Sequence, residues 1–376
     1  MDAIALLKDL VSIDSIFPNE QNIAKYVERK LTELDFKVKK IAITQGRYNI
    51  VGERGSEGRP ILFYGHLDTV PAYGKWESNP HSLVENGDRL IGLGAFDMKS
   101  GVAAILKACE TKTNRTIKVV FAVDEENISE GAHAIVKSGF LKDVDVGIST
   151  ESPDPLGPKF GPQVVSLGRR GRCVIEIGVP GLSAHGANPE LGKSAISDAA
   201  RLVIELEKLN LQENLLLPKP THFIRKIVGE STSLSIPDRV VIELDVHMVP
   251  PDTPQTVLEA VNQIIEKCYS DKKISSPNGV KITARLKQRK TPYGTPYVTD
   301  KDNTHVKRIS EIIQGKYGKV HYNYGMSVAD ENIFAAAGVP MIVVGPSGAN
   351  EHSANEWVSK KSYLELIEVL KAFIES

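Results

Sequence analysis

Apolar residues recur at helical spacing in IALLKDLVSI (4–13) and again in NIAKYVERKLTELDF (22–36), which predicts two opening helices. FKVKKIAI (36–43) then alternates like an exposed strand. Four later runs differ in kind: RPILFYG (59–65), TIKVVFAV (116–123), VDVGIST (144–150) and PMIVVG (340–345). They are short, β-branched, bounded by turn residues and apolar on both faces. Strands of this type lie buried in the sheet of an α/β domain. Helical stretches such as MKSGVAAILKACE (98–110) fall between them, so an α/β domain with a mostly parallel central sheet is expected.

Between about 169 and 289 the pattern changes. An alternating strand (GRRGRCVIEIGVPG) is followed by an amphipathic helix (PELGKSAISDAARLVIELEKLN) and a second strand (DRVVIELDVHMV). A second helix (TPQTVLEAVNQIIEKC) and a last strand (GVKITARLK) close the region. This is the pattern of a small α+β sandwich with one exposed sheet face. The first pattern resumes after it, which places one domain over 1–168 and 290–376 and an inserted one over 169–289.

Composition narrows the reading by exclusion. The 46 Lys+Arg against 47 Asp+Glu leave a net charge of −1, without the basic footprint of a nucleic-acid binder. Hydrophobic content of 41% and charged content of 25% are those of a folded globule. No apolar run reaches the roughly 18–20 residues of a membrane helix. MDAIALLKDLVSIDS carries acids early and lacks a basic n-region, so it is not read as a signal peptide. Cys109, Cys173 and Cys268 are far apart and odd in number, which argues against a disulfide framework. A soluble, reduced, cytoplasmic protein is expected, with neither nucleic acid nor membrane as partner.

The buried runs end in groups that a core strand has no reason to carry. His66 and Asp68 follow the first, Asp124, Glu125 and Glu126 the second, Glu151 the third, and His352 arrives in the loop after the fourth. Ligands of open α/β sheets bind at the carboxyl ends of strands. Singly, each residue reads as a surface histidine or a solvated acid; their coincidence at one sheet edge points to a site. Asp97, in GLGAFDMKSG, is a good N-cap for a helix beginning at Met98 and can also offer an oxygen to a metal. Two histidines and three carboxylates suit zinc, cobalt or manganese. They exceed the needs of one catalytic zinc and fit two ions about 3.5–4 Å apart, sharing a carboxylate and a water.

Read in order, Tyr-Gly-His66-Leu-Asp68-Thr-Val-Pro, Gly-Ala-Phe-Asp97-Met-Lys-Ser-Gly, Asp-Glu125-Glu126-Asn, Thr-Glu151-Ser and Glu-His352-Ser-Ala-Asn-Glu356 resemble the dinuclear metal amidohydrolases and peptidases. That family includes acetylornithine deacetylase, succinyl-diaminopimelate desuccinylase, aminoacylase and glutamate carboxypeptidase. The resemblance implies His66 and Glu151 on one metal, Glu126 and His352 on the other, and Asp97 bridging. It makes Glu125 the general acid/base and Asp68 the carboxylate that orients His66. It makes the insertion a lid and dimerisation domain, whose Ser-Ala-His185-Gly histidine serves the partner subunit's site. A turn histidine on the lid surface is the alternative for His185. Gly325–Asp330 and the loop from Gly345 to Gly348 resemble segments lining the substrate pocket.

The chain departs from the family in the lid, reading Leu234-Ser-Ile-Pro237 and Asp245-Val-His247 where an asparagine and an arginine grip substrate. His247 is read as a substrate ligand, as idle, or as a residue of the solvent face. Arg169, Arg170 and Arg172 are expected to be solvated. His81, His133, His222, His305 and His321 fall in no motif. The resemblance implies hydrolysis of the amide of an N-acyl amino acid, with a metallo-exopeptidase on short peptides as the alternative. A catalytically silent metal-binding dimer is disfavoured by Glu125, an acid beside a ligand that is costly unless metal is bound. A two-metal phosphatase is disfavoured because no Arg or Lys accompanies the ligand motifs.

Overall fold

The computed structural model describes residues 2–231 and 233–376. The chain forms two compact units, Met1–Arg169 with Val298–Ser376, and Arg170–Tyr297. Segment 290–297 thus goes with the inserted unit. Among the described residues no helix is long and apolar enough to cross a membrane, and Cys109, Cys173 and Cys268 are buried and unpaired.

In the larger unit the four apolar runs become the strands Glu57–His66, Arg115–Ala122, Val146–Ser149 and Met341–Val343. They lie side by side in the order Arg115–Ala122, Glu57–His66, Val146–Ser149, Met341–Val343, each parallel to its neighbour. Lys37–Thr44 and Arg47–Arg54 extend one side antiparallel, and Val164–Arg169 and His321–Gly325 extend the other. Arg47–Arg54 escapes an apolar-run criterion because Asn49 interrupts it, buried and hydrogen-bonded. The helices Ala3–Ser12, Ser100–Ala108 and Lys360–Glu375 cover the sheet through Leu7, Leu10, Val102, Ile105, Leu370 and Phe373. Parallel pairing brings the carboxyl ends of the central strands to one edge.

A small antiparallel sheet of Gly348–Ala349, Trp357–Ser359, Arg89–Ile91 and Val84–Asn86 flanks that edge. It presents Glu356, 2% exposed, to the loop before Ser100–Ala108. The Glu356 carboxylate accepts hydrogen bonds from the backbone N–H of Gly94 (2.8 Å), Phe96 (2.8 Å) and Asp97 (2.9 Å). Gly94 has φ +72°, and a Cβ there would stand 2.6 Å from the Thr69 side chain, so only glycine fits. Asp97 does not cap the helix that follows. Its backbone is extended (φ −114°, ψ 97°), the helix starts two residues beyond the expected Met98, and its N-cap position is Lys99. The Asp97 side chain is thereby freed for the site.

The smaller unit is an antiparallel sheet ordered Thr221–Val228, Arg239–Met248, Gly171–Pro180, Thr283–Leu286. Ala195–Leu206 and Pro254–Ser270 bury Leu202, Leu206, Val257 and Val261 against Ile175, Ile177, Ile242 and Leu244 on one face. Thr221–Val228 is the element the sequence pattern passes over. It is an edge strand, largely exposed on both faces, so it lacks the alternation that marks a half-buried strand.

Removing the Glu356 carboxylate strands three N–H groups at about 1–3 kcal/mol each. Glu356→Ala is therefore expected to lose about 3 kcal/mol or more of unfolding free energy in a urea titration, and Glu356→Gln less. A loss below about 1 kcal/mol in the alanine variant would show that water replaces the carboxylate.

Candidate metal centre

His66 closes the strand Glu57–His66, fully out of solvent. Its Nδ1 stands 3.0 Å from the backbone carbonyl of Asp68 and 3.7 Å from that residue's carboxylate. The orienting contact therefore comes from the Asp68 carbonyl, not from the carboxylate as expected; carboxylate oxygen Oδ2 instead accepts from the Glu126 N–H at 3.0 Å. A carbonyl only accepts, so Nδ1 carries a proton, and in the neutral ring Nε2 keeps its lone pair. That Nε2 faces Asp97 Oδ1 at 3.0 Å and Glu151 Oε1 at 3.0 Å.

The second imidazole repeats the arrangement. His352 Nε2 lies 3.1 Å from Asp97 Oδ2 and 3.0 Å from Glu126 Oε2. Asp97 thus turns one oxygen to each histidine, with Glu151 on one side and Glu126 on the other. One ligand atom each of His66, Asp97 and Glu126 lie within 4.8 Å of one another. An acceptor nitrogen between two carboxylate oxygens is unfavourable without a positive charge among them. A proton or a metal cation meets the need, and the N/O donor set suits a divalent metal.

Protonation directions report the same demand. His66 is buried, which alone would lower its pKa, yet Asp97 and Glu151 hold it well above the ordinary value. His352 is raised to about 11 by its bonds to Asp97 and Glu126. Burial lifts Glu126 to about 7, with Asp97 adding to the shift, and burial likewise lifts Glu151. Desolvation alone would raise Asp97, which is only partly buried, but the two histidines pull it below the usual carboxylate range. Glu125 is raised well above that range by burial first; His66 opposes the rise while Asp330, Glu126 and Glu151 add to it.

The turn carrying Glu125 and Glu126 follows the strand Arg115–Ala122. Asn49 closes its neck, accepting from Val123 N–H at 3.0 Å and donating to the Gly131 carbonyl at 3.1 Å. A Cβ on Gly131 would lie 2.1 Å from the Val123 carbonyl oxygen, so the neck requires glycine. Behind the centre, Tyr64 donates to Asp330 Oδ2 at 2.8 Å, both groups fully buried. Asp330 is raised to about 7 by burial.

His66, Asp68, Asp97, Glu125, Glu126, Glu151 and His352 therefore come together in the larger unit. Gly345 and Gly348, expected to line the substrate pocket, stand where backbones pack closely. A Cβ would stand 2.0 Å from the Glu151 carbonyl oxygen at Gly345 and 2.4 Å from that of Trp357 at Gly348. In the smaller unit His185 is exposed, its Nδ1 accepting from Ala187 N–H at 3.1 Å. Leu234 is 83% exposed. His247 stands opposite Arg172 on its neighbouring strand, and burial, with Arg170 and Arg172 close by, lowers its pKa.

The arginines are not simply solvated. Arg169 is buried, 3.3 Å from Glu331 and bonded to Ser327 at 2.8 Å. Arg172 meets Asp245 with two bonds, 2.9 and 2.6 Å. Sequence reading passed over Asn49, and it placed Tyr64, Asp330 and Glu356 in motifs without seeing the contacts by which they support the site.

Residues 62–376 match the family described as peptidase family M20/M25/M40. Succinyl-diaminopimelate desuccinylase of Sulfurovum sp. is 26% identical over 385 residues, covering 100% of this chain and 99% of its own. Acetylornithine deacetylase of Vibrio parahaemolyticus is 26% identical over 388 residues, covering 97% and 95%. A tripeptidase from Staphylococcus aureus shares the fold, with a TM-score of 0.80 at 21% identity over 100% of this chain and 98% of its own. A run of matched residues that takes in every member of the carboxylate–imidazole cluster settles the family: this chain belongs to peptidase family M20/M25/M40 and is an amide-bond hydrolase that uses divalent metal.

Proposed function

We propose that the chain removes the acyl group from an N-acyl amino acid, with two divalent ions, zinc or in its place cobalt or manganese, in the larger unit. The observation that carries this reading is the two-sided Asp97, with one oxygen toward His66 and Glu151 and the other toward His352 and Glu126. His66, Glu151 and Asp97 would hold one ion, and His352, Glu126 and Asp97 the other. Ions held there lower the pKa of water and polarise the amide carbonyl. Glu125 takes the proton of the attacking water and returns it to the amine as the C–N bond breaks. A part-buried carboxyl whose pKa desolvation raises suits a group that accepts and then donates a proton. Full-length similarity to a desuccinylase and a deacetylase supports an acylated amino acid as substrate.

The unit Arg170–Tyr297 is proposed as lid and dimerisation surface, with His185 delivered to the site of a second copy. Because His185 Nδ1 accepts from Ala187, the neutral ring carries its proton on Nε2, where it can donate to an oxyanion. Three buried unpaired cysteines fit a reducing, cytoplasmic setting.

A panel of N-succinyl and N-acetyl amino acids and short peptides, assayed for amine release with zinc, cobalt or chelator, tests the function. Metal-dependent release from an acylated amino acid is expected; release from peptides alone would replace the deacylase by an exopeptidase. Glu125→Gln should keep its metal content and lose about 10²–10⁴-fold in kcat, and a near-normal rate would remove Glu125 from its role. His352→Ala should retain less metal after dialysis, measured by atomic emission; unchanged stoichiometry would take His352 out of the ligand set. Mixing His185→Ala with Glu125→Gln subunits should restore part of the activity in mixed dimers. No restoration in mixed dimers shown to form would end the case for a histidine supplied in trans.

A further inference from the structure

Glu125 and Glu126 sit on a turn whose shape is dictated by the residue before them. Asp124 has φ +74°, in the left-handed region that aspartate tolerates when its side chain bonds locally. Its carbonyl accepts from Ser129 N–H at 2.8 Å. Its Oδ2 accepts from Glu130 N–H at 2.9 Å, and Oδ1 from the Asn127 amide at 3.3 Å. The turn is therefore wrapped around one carboxylate, and rotation of that carboxylate would carry Glu125 and Glu126 with it.

That carboxylate is fully out of solvent, as is Glu20 at the start of the helix Gln21–Glu33. One guanidinium serves both. Arg47 reaches Glu20 with Nε at 2.9 Å and Nη2 at 2.5 Å, and the same Nη2 reaches Asp124 Oδ1 at 2.9 Å. Its planar face lies over the Phe17 ring, 4.6 Å from the centroid. The arginine is thus held from two sides before it touches the turn. An ammonium group has neither the fork nor the plane to keep this geometry. Among the described residues, the bonds of this bridge run to Glu20, Asp124, Asn127 and Glu130, not to His66, Asp97, Glu151 or His352.

We propose that Arg47 is a positioning residue, which through Asp124 fixes the turn that places Glu125 for proton transfer and Glu126 for metal binding. The inference rests on the functional reading for those two glutamates, but its mechanical part, a turn held by Arg47, stands apart from any substrate.

The experiment compares Arg47→Lys and Asp124→Asn with a core control, Leu370→Ala, in the full chain. Backbone amide exchange across 126–130 and cobalt titration followed by its visible absorption are measured first, and then kcat and KM. Arg47→Met is avoided, because it would leave two buried acids unpaired and endanger folding. In both test variants exchange at Glu126, Ser129 and Glu130 should quicken at least tenfold. Cobalt affinity should fall at least fivefold with an altered spectrum, and kcat should drop with KM little changed. Leu370→Ala should leave turn exchange and the cobalt spectrum as they are. Unchanged exchange and cobalt binding in folded Arg47→Lys and Asp124→Asn would overturn the proposal. So would equal losses in the core control, which would reduce Arg47 to general stabilisation. Faster exchange and weaker cobalt binding in a protein that hydrolyses no amide would uphold the positioning role and overturn the functional reading alone.

Discussion

Asp68, Asp97, Glu125, Glu126, Glu151 and Asp330 crowd around a buried and a half-exposed imidazole, and the larger unit is organised around that excess of negative charge. Two unit charges 4 Å apart repel by about 4 kcal/mol at an effective dielectric of 20, so the set cannot be ionised together without a counter-charge. Without metal, protons supply it: His66 and His352 are pushed toward the charged form and Glu125, Glu126 and Glu151 toward the neutral one. Divalent cations supply it differently, by displacing those protons, so metal uptake and proton release are two sides of one equilibrium. The same crowding gives Glu125 its chemistry. A carboxyl poised between burial and neighbouring charge exchanges a proton readily once the ions around it change.

A fold can hold so many acids only by neutralising the rest with dipoles and close packing. Glu356 is the clearest case, a buried carboxylate raised to about 8 by burial and restrained by three backbone N–H groups. It sits outside the cluster yet decides where Asp97 can be, because it binds the Asp97 N–H itself. Asp68 works similarly, spending its carbonyl on His66 and its carboxylate on the Glu126 N–H, so one residue spaces ligands from two strands. Glycines complete the arrangement where backbones touch, at Gly131 in the neck of the Glu125 turn and at Gly345 against Glu151. A methyl group at either place would displace a ligand-bearing segment.

What was legible in the sequence follows from this division. The four buried strands were readable because parallel strands are apolar on both faces, and His66, Glu125, Glu126 and Glu151 were readable because they follow such strands directly. Asp97 was ambiguous, since an aspartate before a helix is a cap by default; the helix begins only at Ser100 with Lys99 at its N-cap, and both Asp97 oxygens face histidines instead. The supports were not legible. Arg47 meets Asp124 across 77 residues and Tyr64 meets Asp330 across 266; Asp124, Tyr64 and Asp330 lie in or beside recognisable motifs, but no local pattern shows which residue each one pairs with. Arg172 looked solvated because charge is visible in a sequence while its partner Asp245, 73 residues on, is not.

The carboxylate–imidazole cluster does not by itself choose a substrate, for a physical reason. Cleaving an amide requires the same water, carbonyl and proton carrier whether the leaving amine belongs to an acylated amino acid or to a peptide, so the cluster around Asp97 is indifferent to the difference. Discrimination needs groups that read the rest of the molecule. At position 247 this chain offers an imidazole whose pKa is lowered by burial and by nearby arginines, so it is uncharged at neutral pH. Arg172, opposite it on the neighbouring strand, is already held in two bonds by Asp245. Neither position therefore presents an uncommitted guanidinium fork: one is an imidazole, and the other is an arginine already paired with Asp245.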